Sequence, residues 1–473
     1  MEENKLKKNE VFSLKNIVMF IPILFFILCI IFLVIEKRAS LKTFWVGGFF
    51  SLCLAYILIK DKKKFGEKCI ESMKNNTLLT CIVIFILAGI LSSILQASGI
   101  SGAFLTLFIK IGIDVRLLPL IIFIICCVIS TCIGTSTGTI SMAIPIFLPL
   151  VAAINCNPAL ILGSIVCGSF FGDNLSPISD TTIISINTMK VDLYDTLKER
   201  VKISLICMFL SCIVYAILGY VLIPNTEQNL TYNNSLKPLI LMTTFILMII
   251  LLAKKNDMIS VLLICNFCAI IISMLCGFMN IEDLFGDNSC IITGIESIFG
   301  VIVFWIFLFI LTGFMPNGIL EKLIQKKVNS THGIIKTNLT GVLVIISSIL
   351  MVSNNTAAMS LISNFIDKCF KGKSQIQKAN IYDGLSCAIP ALLPYNTAFM
   401  LMISLAYETG CMPEKFSILS ILPFSINSIF LLIVYIAMAM FNSKRKNVIK
   451  HNKNNIDKKE TANVILNSSN EKY

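Results

Sequence analysis

Long apolar runs alternate along the chain with short charged or polar segments. A run of about 20 apolar residues crosses a bilayer as one helix. The first run, 17–35, follows Lys5, Lys7, Lys8 and Lys15 and ends at Glu36-Lys37-Arg38. It lacks the short apolar core and cleavage site of a signal peptide, so it predicts a retained helix. Further spans are predicted over 43–59, 78–98, 203–222, 239–253, 258–277, 299–314 and 417–440.

Four regions do not read as simple spans. Residues 117–155 are cut by Gly134-Thr135-Ser136-Thr137-Gly138-Thr139, and 158–189 by the stretch from Gly172 to Asp180. Residues 337–366 are cut by Ser353-Asn354-Asn355-Thr356, and 380–409 around Pro390 and by Pro394-Tyr395-Asn396-Thr397. The pieces beside the 172–180 cut are too short to cross alone, so the cut lies within the membrane. Non-helical backbone there must line a cavity or be buried in protein.

The interruptions repeat in order. Ile86-Leu87-Ala88-Gly89 resembles Ile310-Leu311-Thr312-Gly313, Thr139-Ile140-Ser141-Met142 resembles Thr356-Ala357-Ala358-Met359, and Asp173-Asn174-Leu175-Ser176 resembles Asp383-Gly384-Leu385-Ser386. Three matches in one order indicate an internal duplication. The fold class is therefore an all-α polytopic membrane protein with two inverted-topology repeats, re-entrant hairpins and discontinuous helices. Paired broken segments of this kind point to a transporter's binding site at the membrane midplane. The expected division is a segment 1–16, two helices in 17–60, a first repeat 78–222, connecting helices in 239–277, a second repeat 299–440 and a basic tail 441–473.

Composition supports the membrane reading. Of 473 residues, 56% are hydrophobic and 14% charged, against about 45–50% and about 25% in soluble domains. This excludes a secreted enzyme, a nucleic-acid-binding domain and a disulfide scaffold. The net charge is +12, and its location gives orientation. Segments 60–76, 190–202 (Lys190, Lys198, Arg200, Lys202), 315–336 and the tail are basic, whereas 278–298 carries Glu282, Asp283, Asp287 and Glu296 without a basic residue. The basic segments are expected in the cytoplasm, with both termini there, about ten full crossings and two re-entrant hairpins. The 18 cysteines lie mostly in apolar runs, and the two histidines, His332 and His451, lie in polar segments. Neither set makes a zinc site, and the cysteines read as small buried hydrophobes.

The cuts carry hard oxygen donors. Thr135, Ser136, Thr137 and Thr139 stand in the first, and Asp173, Asn174, Ser176, Ser179, Asp180, Thr181 and Thr182 in the second. Such a set suits Na+, and a carboxylate in the membrane can hold either Na+ or a proton. That competition is the minimum chemistry of an antiporter. The plainer alternative is a turn at Gly172-Asp173-Asn174 and a helix cap at Ser179 or Asp180, which leaves two acids near the membrane centre without a role. On the second repeat, Asn354, Asn355, Thr356, Asp383, Ser386, Asn396 and Thr397 make a substrate side suited to a polar solute as well as to a bare ion. Glu296 and Glu408 read as loop-facing charges, Asp114 and Arg116 as an interfacial pair, and Trp45 and Trp305 as packing or interface residues.

The 134–139 segment with Pro145, followed by Gly172-Asp173-Asn174-Leu175-Ser176-Pro177-Ile178-Ser179-Asp180-Thr181-Thr182, resembles the signature of the NhaC family of Na+/H+ antiporters, part of the ion transporter superfamily. The resemblance implies inverted repeats with re-entrant hairpins, and Asp173 and Asp180 as coupling carboxylates. The C-terminal half departs from the family pattern. Relatives tend to carry a Glu-Asp pair and a Pro-Trp-Asn stretch where this chain has Tyr382-Asp383 and Pro394-Tyr395-Asn396. Some members couple Na+ to organic anions such as malate and lactate, or to amino-acid-like solutes.

The resulting expectation is a transporter, not an enzyme, that exchanges Na+ for H+ across a bacterial cytoplasmic membrane by alternating access. The alternative is a Na+- or H+-coupled carrier of a small organic anion or amino acid. The expected partners are Na+, H+, the lipid bilayer and, in the alternative, an organic solute. No cofactor and no nucleic acid are expected, and a homodimer is left open.

Overall fold

The computed structural model describes residues 18–36, 41–59, 61–74, 76–151, 156–224, 235–254, 256–287, 289–314, 333–352, 354–413 and 416–441. The terminal segment 1–16, the tail from 442, most of the 223–236 and 315–336 segments, Ser353, His332 and His451 lie outside them.

The longer helices run α1 Ile21–Ile35, α2 Leu41–Leu58, α3 Phe65–Met73, α4 Asn76–Ala97, α5 Ile100–Ile111, α6 Leu118–Ile133, α7 Ser136–Phe147, α8 Pro158–Leu175, α9 Asp180–Met189 and α10 Leu193–Leu222. They continue as α11 Met242–Ala253, α12 Met258–Leu275, α13 Cys290–Gly313, α14 Ile334–Val352, α15 Asn355–Ile366, α16 Gln375–Ala388, α17 Thr397–Glu408 and α18 Ile426–Met440. Among the described residues, 8 helices are long and apolar enough to cross a membrane. A ninth span results if Ile418–Phe424 and α18, bent by 62° at Ser425, count as one. Four shorter apolar helices accompany them, compared with about ten expected crossings.

The two 12-residue helices α7 and α15 are about 18 Å long, too short for a hydrocarbon core of about 30 Å. Each follows a longer helix across a short break and packs back against it, α7 on α6 and α15 on α14. These are the expected hairpins. Helices α8 and α9 together form one broken span, Pro158–Met189, and α16 and α17 another within Gln375–Tyr407. They are the most enclosed spans, with 94% and 83% of the apolar window buried, against 22% for α10.

The packing is reciprocal between halves. Helix α9 of the first half meets α15 of the second, and α17 of the second meets α7 of the first. The pairs α4–α13, α8–α16 and α10–α18 also meet across the halves. Such exchange is what a two-fold relation between repeats produces.

Small residues bring the backbones close, as in membrane helix pairs generally. A Cβ on Gly168 would stand 2.4 Å from Cys126 Cβ, and one on Gly172 would stand 2.1 Å from the Ser130 carbonyl carbon. Helix α6 therefore lies in a groove on α8, and the Ser130 hydroxyl donates to the Ser169 carbonyl. Between α4 and α13, a Cβ on Gly89 would stand 2.3 Å from the Gly294 oxygen, and one on Gly294 would stand 2.7 Å from the Gly89 oxygen. Ser93 and Thr293 share a 2.8 Å hydrogen bond beside that crossing.

Three local expectations are corrected. Helix α10 begins at Leu193, so most of 190–202 is helix, and Arg200 is buried instead of lying in a loop. Helix α13 begins at Cys290, which puts Glu296 on an exposed helical face. In the third, the repeats align by their caps, Thr135 with Asn354, so Thr139 is not the counterpart of Thr356. Asp114 and Arg116 do pair, at 2.6 Å, with the guanidinium 4.6 Å from the Tyr220 ring centroid. Trp305 is buried and packs on Phe85 and Phe309, and Trp45 donates to the Gly300 carbonyl at 3.0 Å.

Candidate functional site

Local chemistry makes the breaks. Gly134 ends α6 in the left-handed region (φ 76) and returns its N–H to the Ser130 carbonyl, a conformation that glycine adopts without strain. Thr135 then caps α7, its hydroxyl accepting from the Gly138 N–H at 3.0 Å. In the second half, Asn354 caps α15 through the Ala357 N–H at 2.9 Å, and Asn396 caps α17 through the Ala398 N–H at 3.0 Å. At the α8–α9 break the chain passes Ser176 to Ser179 before restarting at Asp180. The hairpin tip touches that break directly: a Cβ on Gly134 would stand 2.7 Å from Ile178 and 3.0 Å from the Ser176 hydroxyl.

These ends surround one cavity of about 420 Å³. The first half contributes Thr135, Ser136, Thr137, Asp173, Ser179, Asp180 and Thr181 to its wall. The second contributes Asn354, Asn355, Thr356, Asn396 and Thr397. Four helices, α7, α9, α15 and α17, thus begin at the cavity wall with their partial positive ends. Asp173 is 4% exposed and shares the cavity wall with Ser136, the first residue of α7, which sets a carboxylate near a helix N-terminus. Asp180 is exposed at the start of α9. Thr181 bridges the break, bonding the Asp173 carbonyl at 3.2 Å and sharing a 3.0 Å contact with Ser179.

Six sequence candidates lie outside the cavity wall. Thr139 bonds the Thr135 carbonyl at 3.1 Å within α7. Ser176 is buried and takes the Ile178 N–H at 3.4 Å. Ser386 is buried with no hydrogen-bond partner among the described residues. Asn174, Thr182 and Asp383 belong to a neighbouring buried network centred on Arg200. Asp383, expected on the substrate side, is instead held in an ion pair with Arg200 at 2.8 Å.

Arg200 reaches that network from α10. Its Nη1 also donates to the Asn174 carbonyl at 2.9 Å and to Thr182 Oγ1 at 2.8 Å, and its Nε donates to Asn380 Oδ1 at 2.9 Å. Asn174 Nδ2 donates to Asp383 Oδ2 at 2.9 Å, and Ser204 Oγ donates to Asn174 Oδ1 at 2.8 Å. Asp173, Arg200 and Asp383 are the buried charged residues among those described. The sequence did hold a signal for Arg200. Thr196, Arg200, Ser204, Cys207, Ser211, Tyr215 and Gly219 fall at three- and four-residue steps on the buried face of α10, whereas Leu205, Phe209, Ile213 and Ile217 face outward. Asn76, Thr80, Cys81 and Ile84 of α4 and Met258 of α12 also line the cavity and were not marked by any motif.

Crossed hairpins and broken helices around an internal polar cavity are features that recur in secondary transporters. Residues 6–220 match the profile of the Na+/H+ antiporter family. An uncharacterized Na+/H+ antiporter of Haemophilus influenzae is 37% identical over 73 residues, 15% of this chain and 16% of that protein. The Na+/H+ antiporter NhaC of Alkalihalophilus pseudofirmus is 31% identical over 78 residues, 16% and 17% of the two chains. The malate-2H+/Na+-lactate antiporter of Bacillus subtilis is 31% identical over 61 residues, 13% of each. The chain thus matches less than a fifth of the length of each of these relatives. Among solved structures, the YdaH transporter of Alcanivorax borkumensis aligns with a TM-score of 0.37 and 16% identity, over 77% of this chain and 86% of that one.

Proposed function

We propose that the protein exchanges Na+ for H+ across a bacterial cytoplasmic membrane by alternating access, with Asp173 and Asp180 as the coupling carboxylates. The observation that carries this reading is that both acids face one cavity, while the third acid nearby, Asp383, is committed to Arg200. Ser136, Ser179, Thr181 and the Thr135 and Thr137 hydroxyls supply neutral oxygen around the carboxylates. A Na+ bound there is released when a proton takes its place, and the reverse exchange reloads the site. The names of the matched relatives agree with this chemistry.

With both termini and the basic segments in the cytoplasm, α4 and α12 enter the membrane from the cytoplasmic side. Residues from their first turns, Asn76, Thr80 and Met258, line the cavity. The cavity then opens inward, and alternation must close that mouth.

A second reading is favoured by size and polarity. The cavity is larger than one ion needs, and the second half lines it with amides and hydroxyls but no acid. Na+- or H+-coupled transport of a small organic anion or amino acid fits such a wall. Reconstitution in liposomes tests both readings. A Na+ gradient imposed on a pH-reporting lumen should drive proton flux in the first, and the flux should require added malate, lactate or an amino acid in the second. Absence of Na+-driven flux under every condition would sink both.

A further inference from the structure

We infer that Arg200 is a positioning residue that ties the two halves together beside the coupling site and keeps Asp383 out of ion exchange. The inference rests on the exchange reading of the cavity and assigns a task to the charges that this reading leaves unused.

The geometry is that of a clamp. Arg200 stands on α10, fully buried, and bonds three other helices. On α8 it holds the Asn174 carbonyl, the peptide next to Asp173. On α9 it holds Thr182, two residues beyond Asp180, and reaches Ser185 at 3.4 Å. On α16, in the second half, it holds Asn380 and Asp383. Both flanks of the first-half break are therefore referred to one guanidinium, which is in turn fixed to the second half. Asn174 closes the arrangement by donating to the same Asp383 oxygen that Arg200 holds.

Chain position gives the clamp its depth. Arg200 lies roughly 10 Å of helix from the start of α10, and Asp383 roughly 12 Å from the start of α16. A charge at that depth is retained where it is paired or functional. Arg200 and Asp383 neutralise each other, so neither needs to exchange an ion with the cavity. Asp173 and Asp383 thus have different fates: one faces the cavity and the other is bound to a tethered cation. The planar fork matters as much as the charge, because a lysine could not hold the carbonyl, Thr182, Asn380 and Asp383 at once.

The test uses the full-length protein, purified and reconstituted at equal density, as wild type, Arg200→Lys, Arg200→Gln, Asp383→Asn and the Arg200→Gln/Asp383→Asn double variant. Each Gln or Asn single variant strands a buried charge, so each should melt well below wild type, and the double variant should recover most of that loss. In transport, Arg200→Lys should raise the half-saturating Na+ concentration by about tenfold, as for loss of an outer-shell partner, with a smaller effect on maximal rate. The double variant should regain Na+-driven proton flux lost in Asp383→Asn, at a half-saturating Na+ concentration raised at least as far as in Arg200→Lys. A double variant that melts like wild type but carries no flux would make Asp383 or Arg200 a direct participant and overturn the inference. So would an Arg200→Lys protein with wild-type Na+ dependence. Failure of the exchange reading is separately visible, because wild type would then show no Na+-driven flux while the melting pattern still reported the Arg200–Asp383 pair.

Discussion

The hydroxyl of Thr181 bonds the backbone carbonyl of Asp173 at 3.2 Å, so the second half of a broken helix is stitched to the first across the interruption. Together with the Arg200 bonds to the Asn174 carbonyl and Thr182, it holds the two carboxylates on either side of the break in place. Thr181→Ala should cost about 0.5–1.5 kcal/mol of stability and raise the half-saturating Na+ concentration, because a hydroxyl coordinates but does not titrate near neutral pH. Na+ titration of proton flux in liposomes checks it.

Asp173→Asn and Asp180→Asn preserve shape and one oxygen each but cannot trade a proton for Na+. Both proteins should insert and melt near wild type while exchange collapses. Glu at either position should retain partial exchange with altered Na+ dependence. Wild-type Na+-driven flux in both Asn variants would remove these acids from the mechanism.

Gly172→Val places atoms where the Ser130 backbone already stands, at 2.1 Å for the Cβ alone. Neither backbone can give way cheaply, so the cost should be at least about 2–3 kcal/mol. The expected readout is a large loss of folded protein in detergent, with Gly172→Ala intermediate. A Val variant of normal yield and melting temperature would show that α6 and α8 do not pack as described.

Asp114 lies outside the spans, before the short turn Val115–Leu117. Hydrogen bonding from Arg116 holds its carboxyl below the ordinary value of 3.8. A group with a lowered folded-state pKa stabilises the fold above the unfolded value and loses that contribution as pH falls through the folded one. The contribution should therefore be constant from neutral pH down to about pH 4 and fade below it. Asp114→Asn should lower the melting temperature slightly at neutral pH and flatten the acid limb. The pair is partly exposed, and added salt should shrink the difference.

Apolar runs and their interruptions were legible because both follow from one constraint: backbone in a bilayer must be satisfied within a helix or against protein. That constraint exposed the hairpin tips at 134–139 and 354–356 and the break around Asp180. What the runs could not show was which way a polar side chain turns. Asn174 and Thr182 sit in the same motif as Asp173 and Asp180, yet they face Arg200, because helical spacing sends neighbouring residues to different sides. Arg200 itself was read as a loop charge from its basic neighbours Lys198 and Lys202. Those two are exposed, and only the periodic face running from Thr196 to Gly219 separated it from them. Asp383 has its partner, Arg200, in the other half of the chain, which no local pattern encodes.

The crossing of Gly89 and Gly294 has a mechanical meaning. Helices α4 and α13 touch through bare backbone, with Ile298 poised 2.5 Å from where a Gly89 Cβ would be. Sliding one helix along the other by a residue would drive a side chain into a gap sized for hydrogen. Rolling about the contact point moves no side chain into it. The pair thus acts as a registration point that fixes the height of one half against the other.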